Sequence, residues 1–532
     1  MSPRLAMPQG LASQRPDDRH GRRIMLSAFD LQPWEDVMKM SQEMQTPFAL
    51  EEATIADVHA AMRERVLTAR QLVQGYLDRI EAYDRQGPCI NSILEINPAA
   101  LAEADLADAA PDKRGPLHGV PVLIKDNIET HGLPTTAGST LLKDHVPRDD
   151  AFIVRKLREA GAIVLAKTNL HELASGGETV STLLGQTRNP YDLNRTPGGS
   201  SGGTAAGIAA NFGLVGIGTD GVNSIRSPAS ANNLVGLRPT LGLVSRTGLI
   251  PSGLSQDMLG PITRTVTDAA IVLDVIAGAD PDDPSTHVAG AHQPPTYTAF
   301  LDPDGLQGAR IGVLKSFFGR EAEHQEVNAV IEWALEAMAQ RGATLVVVND
   351  HIDPDTLLST AMVHHYEMVR DLDAYLTRLP PGFGVSTLAD LAASGQVHRS
   401  VQGTLATAMT MATRTDEYHE HLDCQAALRQ RLLDLMGKHA LDVLAFPHQR
   451  RLVVPIGQTQ VERNGVLASA TGFPSIAIPA GFSAPTASAP LGVPVGMELF
   501  GRPFAEALLI RLAYAAEQTL KARRAPEATP PL

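Results

Sequence analysis

Two glycine-rich stretches carry the residues best suited to chemistry. The first runs Pro197-Gly198-Gly199-Ser200-Ser201-Gly202-Gly203, and the second runs from Gly216 through Gly218, Thr219, Asp220, Gly221, Val222, Asn223 and Ser224 to Arg226. Glycines on both sides of paired serines let backbone N–H groups crowd around a small negative charge. Ser200 and Ser201 lead into an alanine-rich segment that reads as a helix, and a helix N-terminus favours an anion. Ser224 lies in the second loop, after an apolar strand expected over 213–218. A serine hydroxyl alone is a poor nucleophile and requires a base. A lysine serves if burial keeps it neutral, because desolvation lowers its pKa by several units. Lys125, directly after the apolar run 120–124, is the best-placed lysine, and Ser–Lys pairs are known variants of the triad logic. Spacing alone leaves a plainer reading open, with Lys125 a strand-end surface charge and the serines helix caps.

Other patterns in the same stretches are discounted. Gly216-x-Gly218-x-x-Gly221 matches a dinucleotide fingerprint, which needs a helix immediately after it. Here Pro228 is expected to break such a helix early. Gly199-x-Ser201-x-Gly203 matches a nucleophile elbow, which needs a strand directly before it. The polar 189–195 and Pro197-Gly198-Gly199 do not make a central strand. No His-Glu-x-x-His motif occurs, and His364 and His365 are expected to point to opposite sides of their element. Neither a metal nor a cofactor is expected.

The elements that place these residues follow from periodicity. Residues 1–45 are polar and mixed in charge and read as a loose extension; the apolar 24–29 is too short for a signal-peptide core. Thr68 followed by Gln71 is a capping-box pattern, after which Leu72, Val73, Tyr76, Leu77 and Ile80 share one helical face. The alanine- and acid-rich 99–110 reads as another helix. Then 120–124 reads as a strand ending in Lys125-Asp126-Asn127, 150–160 as a helix, and 162–166 as a strand ending in Lys167-Thr168-Asn169. This alternation predicts an α/β sheet with ligands beyond its strand ends. The segments 308–314, 325–340 and 343–348 repeat it. Residues 351–440 read as mainly helical, 441–520 as strands broken by Pro and Gly before a last helix from about 505 to 521, and 525–532 as a Pro-rich tail.

Composition excludes several classes. The 532 residues include 45 Lys+Arg and 59 Asp+Glu, a net charge of -14, and are 43% hydrophobic. That apolar share is too high for a disordered chain. The acidic balance argues against nucleic acid or an anionic membrane as the main partner. No run of about 18 apolar residues occurs, so no membrane span is predicted. Two cysteines, Cys89 and Cys424, exclude a disulfide framework and fit a reducing, cytoplasmic setting. The 45 glycines and 37 prolines exceed the ordinary share and predict many loops of demanding geometry.

Taken together, these stretches resemble the amidase signature family. Lys125-Asp126-Asn127, Lys167-Thr168-Asn169, the loop 197–203, and Gly218-Thr219-Asp220 with Ser224-Ile225-Arg226 occur in that family's order and spacing. So do Val235-Gly236-Leu237-Arg238-Pro239-Thr240, Ser255-Gln256-Asp257 with Gly260-Pro261-Ile262, and Thr471-Gly472-Phe473-Pro474. The resemblance covers about 46–285 and 440–520. It implies an α/β fold with a large mixed central β-sheet flanked by helices on both faces. One domain over 46–524 would carry a mainly helical, substrate-covering excursion at 300–440. The resemblance also implies hydrolysis of a carboxamide through an acyl-enzyme, with Ser224 as nucleophile, Ser200, on a cis peptide bond, as the bridging serine and Lys125 as general base. Backbone N–H groups of Gly221, Val222, Asn223 and Ser224 would hold the oxyanion. Ser201, Thr219, Asp220 and Arg226 would support the site, and Ala174, Ser175 and Gly176 would contact the substrate.

One departure stands out. The family usually has two glycines immediately before its nucleophile, where this chain has Val222 and Asn223. Asn tolerates a left-handed backbone, whereas Val does so only at a cost. The substrate is expected to be an aryl or acyl amide, a small molecule, with Met362, Met368, Met409 and Met411 giving an adaptable apolar wall. The alternatives are an esterase or carbamate hydrolase with the same triad, and a glutaminase subunit of a tRNA-dependent amidotransferase. Homodimerisation is left open.

Overall fold

Val122, Leu123 and Ile124 have no exposed surface, and they set the centre of the fold. They belong to β2 (Pro121–Lys125), which lies between β3 (Ile163–Thr168) and β6 (Val215–Asp220) and runs parallel to both. A parallel strand covered on both faces needs a near-continuous apolar run, which is what β2 supplies. Leu123 fills space left by two glycines: a side chain at Gly207 or Gly213 would meet it at 2.9 or 2.7 Å. Burying a leucine of this kind contributes about 1.5–3 kcal/mol.

This computed structural model describes residues 48–110, 115–380 and 382–532. The extension expected over 1–45 lies outside the described residues. The other strands are β1 (Ile93–Ile96), β4 (Val180–Ser181), β5 (Gly185–Gln186), β7 (Val235–Arg238), β8 (Met258–Thr263), β9 (Arg310–Leu314), β10 (Thr344–Val348), β11 (Val443–Pro447), β12 (Ser475–Phe482) and β13 (Pro494–Phe500). Among the described residues, 11 strands form one mixed sheet in the order β1-β3-β2-β6-β8-β7-β12-β13-β11-β9-β10, and β4 and β5 form a separate ribbon. Helix Gly202–Ala209 packs on β2 and β6, Val266–Ile276 on β8, Arg226–Ala231 on β7, β12 and β13, and Gln325–Gln340 on β12. This is the α/β mixed-sheet architecture expected from the sequence.

Strand polarity positions the site. Because β2, β3 and β6 are parallel, Lys125, Thr168 and Asp220 end on one edge of the sheet, where ligands collect in open α/β folds. β8 runs antiparallel to β6 and sets Met258 opposite Asp220, so Asp257 joins the same edge.

Several local expectations hold. Thr68 and Gln71 form the capping box, and Leu72, Val73, Tyr76 and Ile80 are buried. The helix expected over 325–340 is found as Gln325–Gln340, and the last helix as Glu506–Leu520. Others need correction. Pro228 does not prevent a helix, because it is the third residue of Arg226–Ala231. In a first turn its missing N–H costs no intrahelical bond. The dinucleotide reading fails for another reason: Gly216 and Gly218 lie inside β6 and form no turn. The methionine wall is not formed either. Met362 and Met368 are buried in apolar clusters and Met409 is exposed on the surface. Met362, between two helices, fills the main core, and Met368, on helix His364–Leu376, fills a smaller core shared with Ala137, Leu142, Leu173 and Ile250. The tail over 525–532 is held: Arg79, fully buried, donates to the carbonyls of Thr529 at 2.7 Å and Pro530 at 2.9 Å.

Candidate active site

Two lysines end adjacent parallel strands, and their partners differ. Lys167 pairs with Asp126 at 3.1 Å and donates to Ile128 O at 3.0 Å and Thr135 Oγ1 at 2.7 Å. Its charge is matched by a carboxylate, and its role is structural. Lys125 contacts no carboxylate among the described residues. Its Nζ lies 2.7 Å from Ser200 Oγ and 2.6 Å from Thr219 Oγ1. Burial strips water from the ammonium and brings its pKa down from 10.5 to about 7, against the weaker opposing pull of Asp257 and Asp220. A neutral amine beside a hydroxyl is a proton acceptor.

Ser200 sits where the chain turns from Gly198 into helix Gly202–Ala209, and its peptide bond to Gly199 is cis, as the resemblance implies. Gly198 has φ +73, and a side chain there would meet the Pro228 backbone at 3.1 Å, so the turn requires glycine. Ser201 ties the two glycine-rich loops together. Its N–H donates to Ser224 O at 3.2 Å, and its Oγ donates to Thr219 O at 3.1 Å. Asn127 Nδ2 donates to Thr219 Oγ1 at 3.2 Å.

The loop 221–224 is held through its carbonyls. Gly221 O accepts from Ser469 Oγ, Val222 O from Arg226 Nη2 at 2.8 Å, Asn223 O from Ser227 N at 2.7 Å, and Ser224 O from Ser201 N. Among the described residues, none of the four N–H groups has a hydrogen-bond partner. Fixed carbonyls with free N–H groups are the arrangement that receives an oxyanion. Neither Val222 nor Asn223 has a positive φ. The left-handed backbone considered for them is not used here. Asn223 Oδ1 instead accepts from Gly465 N at 2.9 Å and anchors the loop to helix Val466–Thr471.

A buried charge network lies beneath. Arg226 donates to Asp220 at 3.1 Å and to Glu498 at 2.6 Å, and His448 Nδ1 lies 2.6 Å from Glu498. Burial alone would raise the Asp220 carboxyl, but Arg226 and Arg238 outweigh it and hold it far below the usual carboxylate range. Asp220 is thus an anion at any working pH. It fixes Arg226, and Arg226 fixes Val222.

A cavity of about 480 Å³ opens above this floor, within the usual size of small-molecule sites. Ser200, Thr219, Gly221, Val222, Asn223 and Ser224 line it, as do Ala174, Ser175 and Gly176. Lys125, Ser201, Asp220 and Arg226 lie buried beneath these residues. Every site residue expected from the sequence is therefore at one place. Ser224 Oγ has no hydrogen-bond partner among the described residues, Ser200 included.

The sequence reading missed other lining residues. Asp257 accepts from Ser252 N at 2.7 Å and Gly253 N at 2.9 Å, and burial pushes its carboxyl up to about 6. It stands inside a quoted motif, which was the available signal. His364 and His365 both line the cavity, with ring centroids 4.0 Å apart. They do not point apart, because they open helix His364–Leu376, where successive side chains diverge by about 100° rather than alternating as in a strand. Arg463, also in the wall, had no local signal. Glu323, His324 and Glu462 lie close enough to share a cation, and Arg451 already pairs with both carboxylates.

Comparison with known proteins agrees with this geometry. The family model described as Amidase matches residues 71–510. A peptide amidase from Stenotrophomonas maltophilia superposes with a TM-score of 0.80 at 38% identity, over 90% of this chain and 99% of that one. A probable amidase of Arabidopsis thaliana is 33% identical, over 91% of this chain and 93% of its own length. A glutamyl-tRNA(Gln) amidotransferase subunit from Moorella thermoacetica is 35% identical, over 89% of this chain and 98% of its own. With its serines, lysine and cavity arranged on this sheet, the chain belongs to the amidase signature family and is an amide-hydrolysing enzyme.

Proposed function

We propose that the protein hydrolyses linear carboxamides through an acyl-enzyme on Ser224, with Ser200 and Lys125 as proton relay. The observation that carries this reading is the buried Lys125 Nζ, 2.7 Å from Ser200 Oγ and without a carboxylate partner, beneath a loop of four unpaired N–H groups. As substrate fills the cavity, the Ser224 hydroxyl closes on Ser200. Neutral Lys125 takes the Ser200 proton, Ser200 takes that of Ser224, and Ser224 Oγ bonds to the carbonyl carbon. The N–H groups of 221–224 receive the oxyanion, each worth about 3 kcal/mol. The C–N bond then breaks as the relay returns a proton to the leaving nitrogen. Water attacks the acyl ester by the same relay and releases a carboxylic acid.

The 38% identical peptide amidase makes peptide amides the first substrates to test. The 35% identical amidotransferase relative favours a second reading, a glutaminase that needs partner subunits. A hydrolysis screen of the purified chain alone over peptide amides, anilides, aliphatic amides, esters and carbamates separates the readings. Amide turnover without partners supports the first. Turnover of esters or carbamates alone contradicts it, and glutamine hydrolysis that appears only with added partners favours the second. The free, exposed Cys89 and Cys424 support a reducing, cytoplasmic setting. Among the described residues no helix is long and apolar enough to cross a membrane.

A further inference from the structure

Charges in the cavity wall are balanced at every position but one. Asp355 pairs with Arg450 at 2.6 Å, and Glu462 pairs with Arg451 at 2.5 Å. Glu178, behind the wall, accepts from Gln460 N at 2.7 Å and Gly177 N at 3.1 Å and lies 3.2 Å from His171 Nδ1. Its acceptor sites are taken. On the floor, Asp257 is held by two backbone N–H groups.

Arg463 is the exception. It lines the same cavity as Ser224 and is half-buried. Its guanidinium makes no hydrogen bond or ion pair among the described residues, and Glu178 and Asp220 act on it only through space. The backbone makes room for it: a side chain at Gly177 would meet Arg463 Nη1 at 2.5 Å. A guanidinium offers five donors in a fixed fork. Its nitrogens keep accessible surface, so water occupies them in the open cavity and a ligand's acceptors can take that water's place.

We infer that Arg463 binds a carboxylate on the substrate, so the preferred substrates are amides that carry a carboxylate elsewhere in the molecule. This deepens the amide-hydrolase reading and rests on it for the position of the scissile bond. The fork would orient the substrate bidentately while Ser224 attacks the amide in the same cavity. Arg463 is then a specificity-determining residue that touches substrate and not the reacting atoms.

The test compares matched primary amides: succinamate, glutaramate and adipamate against butyramide, valeramide and hexanamide. At one chain length the acid should exceed its neutral partner in kcat/KM by at least tenfold, chiefly through KM. In Arg463→Met that ratio should fall to within about threefold of one, and Arg463→Lys should recover part of it. Equal kcat/KM for acids and neutral partners at every length, with the same ratio in Arg463→Met, would overturn the proposal. A binding arm works without turnover: the three acids are titrated calorimetrically into Ser224→Ala, with and without Arg463→Met. Binding at least tenfold weaker in the double variant supports the carboxylate site, and equal binding in both overturns it. Binding that depends on Arg463 in a wild-type chain that hydrolyses no amide would support this site and contradict the hydrolase reading instead.

Discussion

Lys125 and Lys167 show how partners, more than burial, assign a residue its task. Both are fully buried, and both have their pKa lowered by that burial. Lys167 has a carboxylate beside it; Lys125 has hydroxyls. With Lys125 as base, the profile of kcat/KM against pH should show an acidic limb centred at about 7, the value to which burial brings Lys125. Below it the amine is protonated, and the rate should fall tenfold per pH unit; Lys125→Ala should lose about a thousandfold at neutral pH. An unchanged limb in that variant would assign it to another group. A stability consequence follows with a definite sign. Between about pH 7 and 10.5 the unfolded chain binds a proton at Lys125 that the folded chain lacks, so stability rises with pH through that window. Urea melts should accordingly show wild type gaining on Lys125→Met by several kcal/mol from pH 7 to 10. A constant difference between the two would show that Lys125 keeps its ordinary pKa.

At the scale of elements, the parallel strands β2, β3 and β6 bring the site to one sheet edge, and the loop after β6 lines the cavity there. The substitution of Asn223 for a family glycine gains a meaning here, since its side chain accepts from Gly465 N. Asn223→Gly, although it restores the family residue, should unpair that N–H at a cost of about 1–3 kcal/mol and lower kcat about tenfold. Chemical melts and steady-state kinetics check both; full activity and stability would show that the anchor is dispensable. Much of this scale was legible in the sequence, because apolar runs, caps and turn residues act locally. Lys125, Ser200 and Ser224 were legible through the motifs around them. Arg463, His364 and His365 were not, since their place in the cavity depends on packing between segments far from Ser200 along the chain. The methionines misled because an apolar residue on a helix has the same pattern whether it faces a core or a ligand.

At the scale of the whole molecule, the last residues are part of the fold. Arg79 reaches Thr529 and Pro530, Arg523 pairs with Glu52 at 2.8 Å, and Tyr191 donates to Arg524 O at 2.5 Å. Segments distant in sequence are thus joined by hydrogen bonds, those of the Arg79 and Arg523 guanidinium groups worth about 1.5–3 kcal/mol each and the neutral Tyr191 bond about 1. Deleting residues 525–532 should lower stability by about 2–5 kcal/mol, read from the midpoint of urea unfolding. An unchanged midpoint would mean that water replaces these acceptors without loss. The helical part of the excursion, over 351–440, shares a small core with Ala137, Leu142, Leu173 and Ile250 and presents Asp355, Leu358, His364, His365 and Thr404, all polar but one, to the cavity. That polar lining replaces the apolar cover the sequence led us to expect.

The most direct test of the central claim is the turnover of a simple primary amide by wild type and by Ser224→Ala, each purified alone. With Ser224 as nucleophile, kcat/KM should fall by at least about 10⁴-fold with an unchanged melting profile. Near wild-type turnover by a folded Ser224→Ala would contradict it, because a different group would then have to attack the amide.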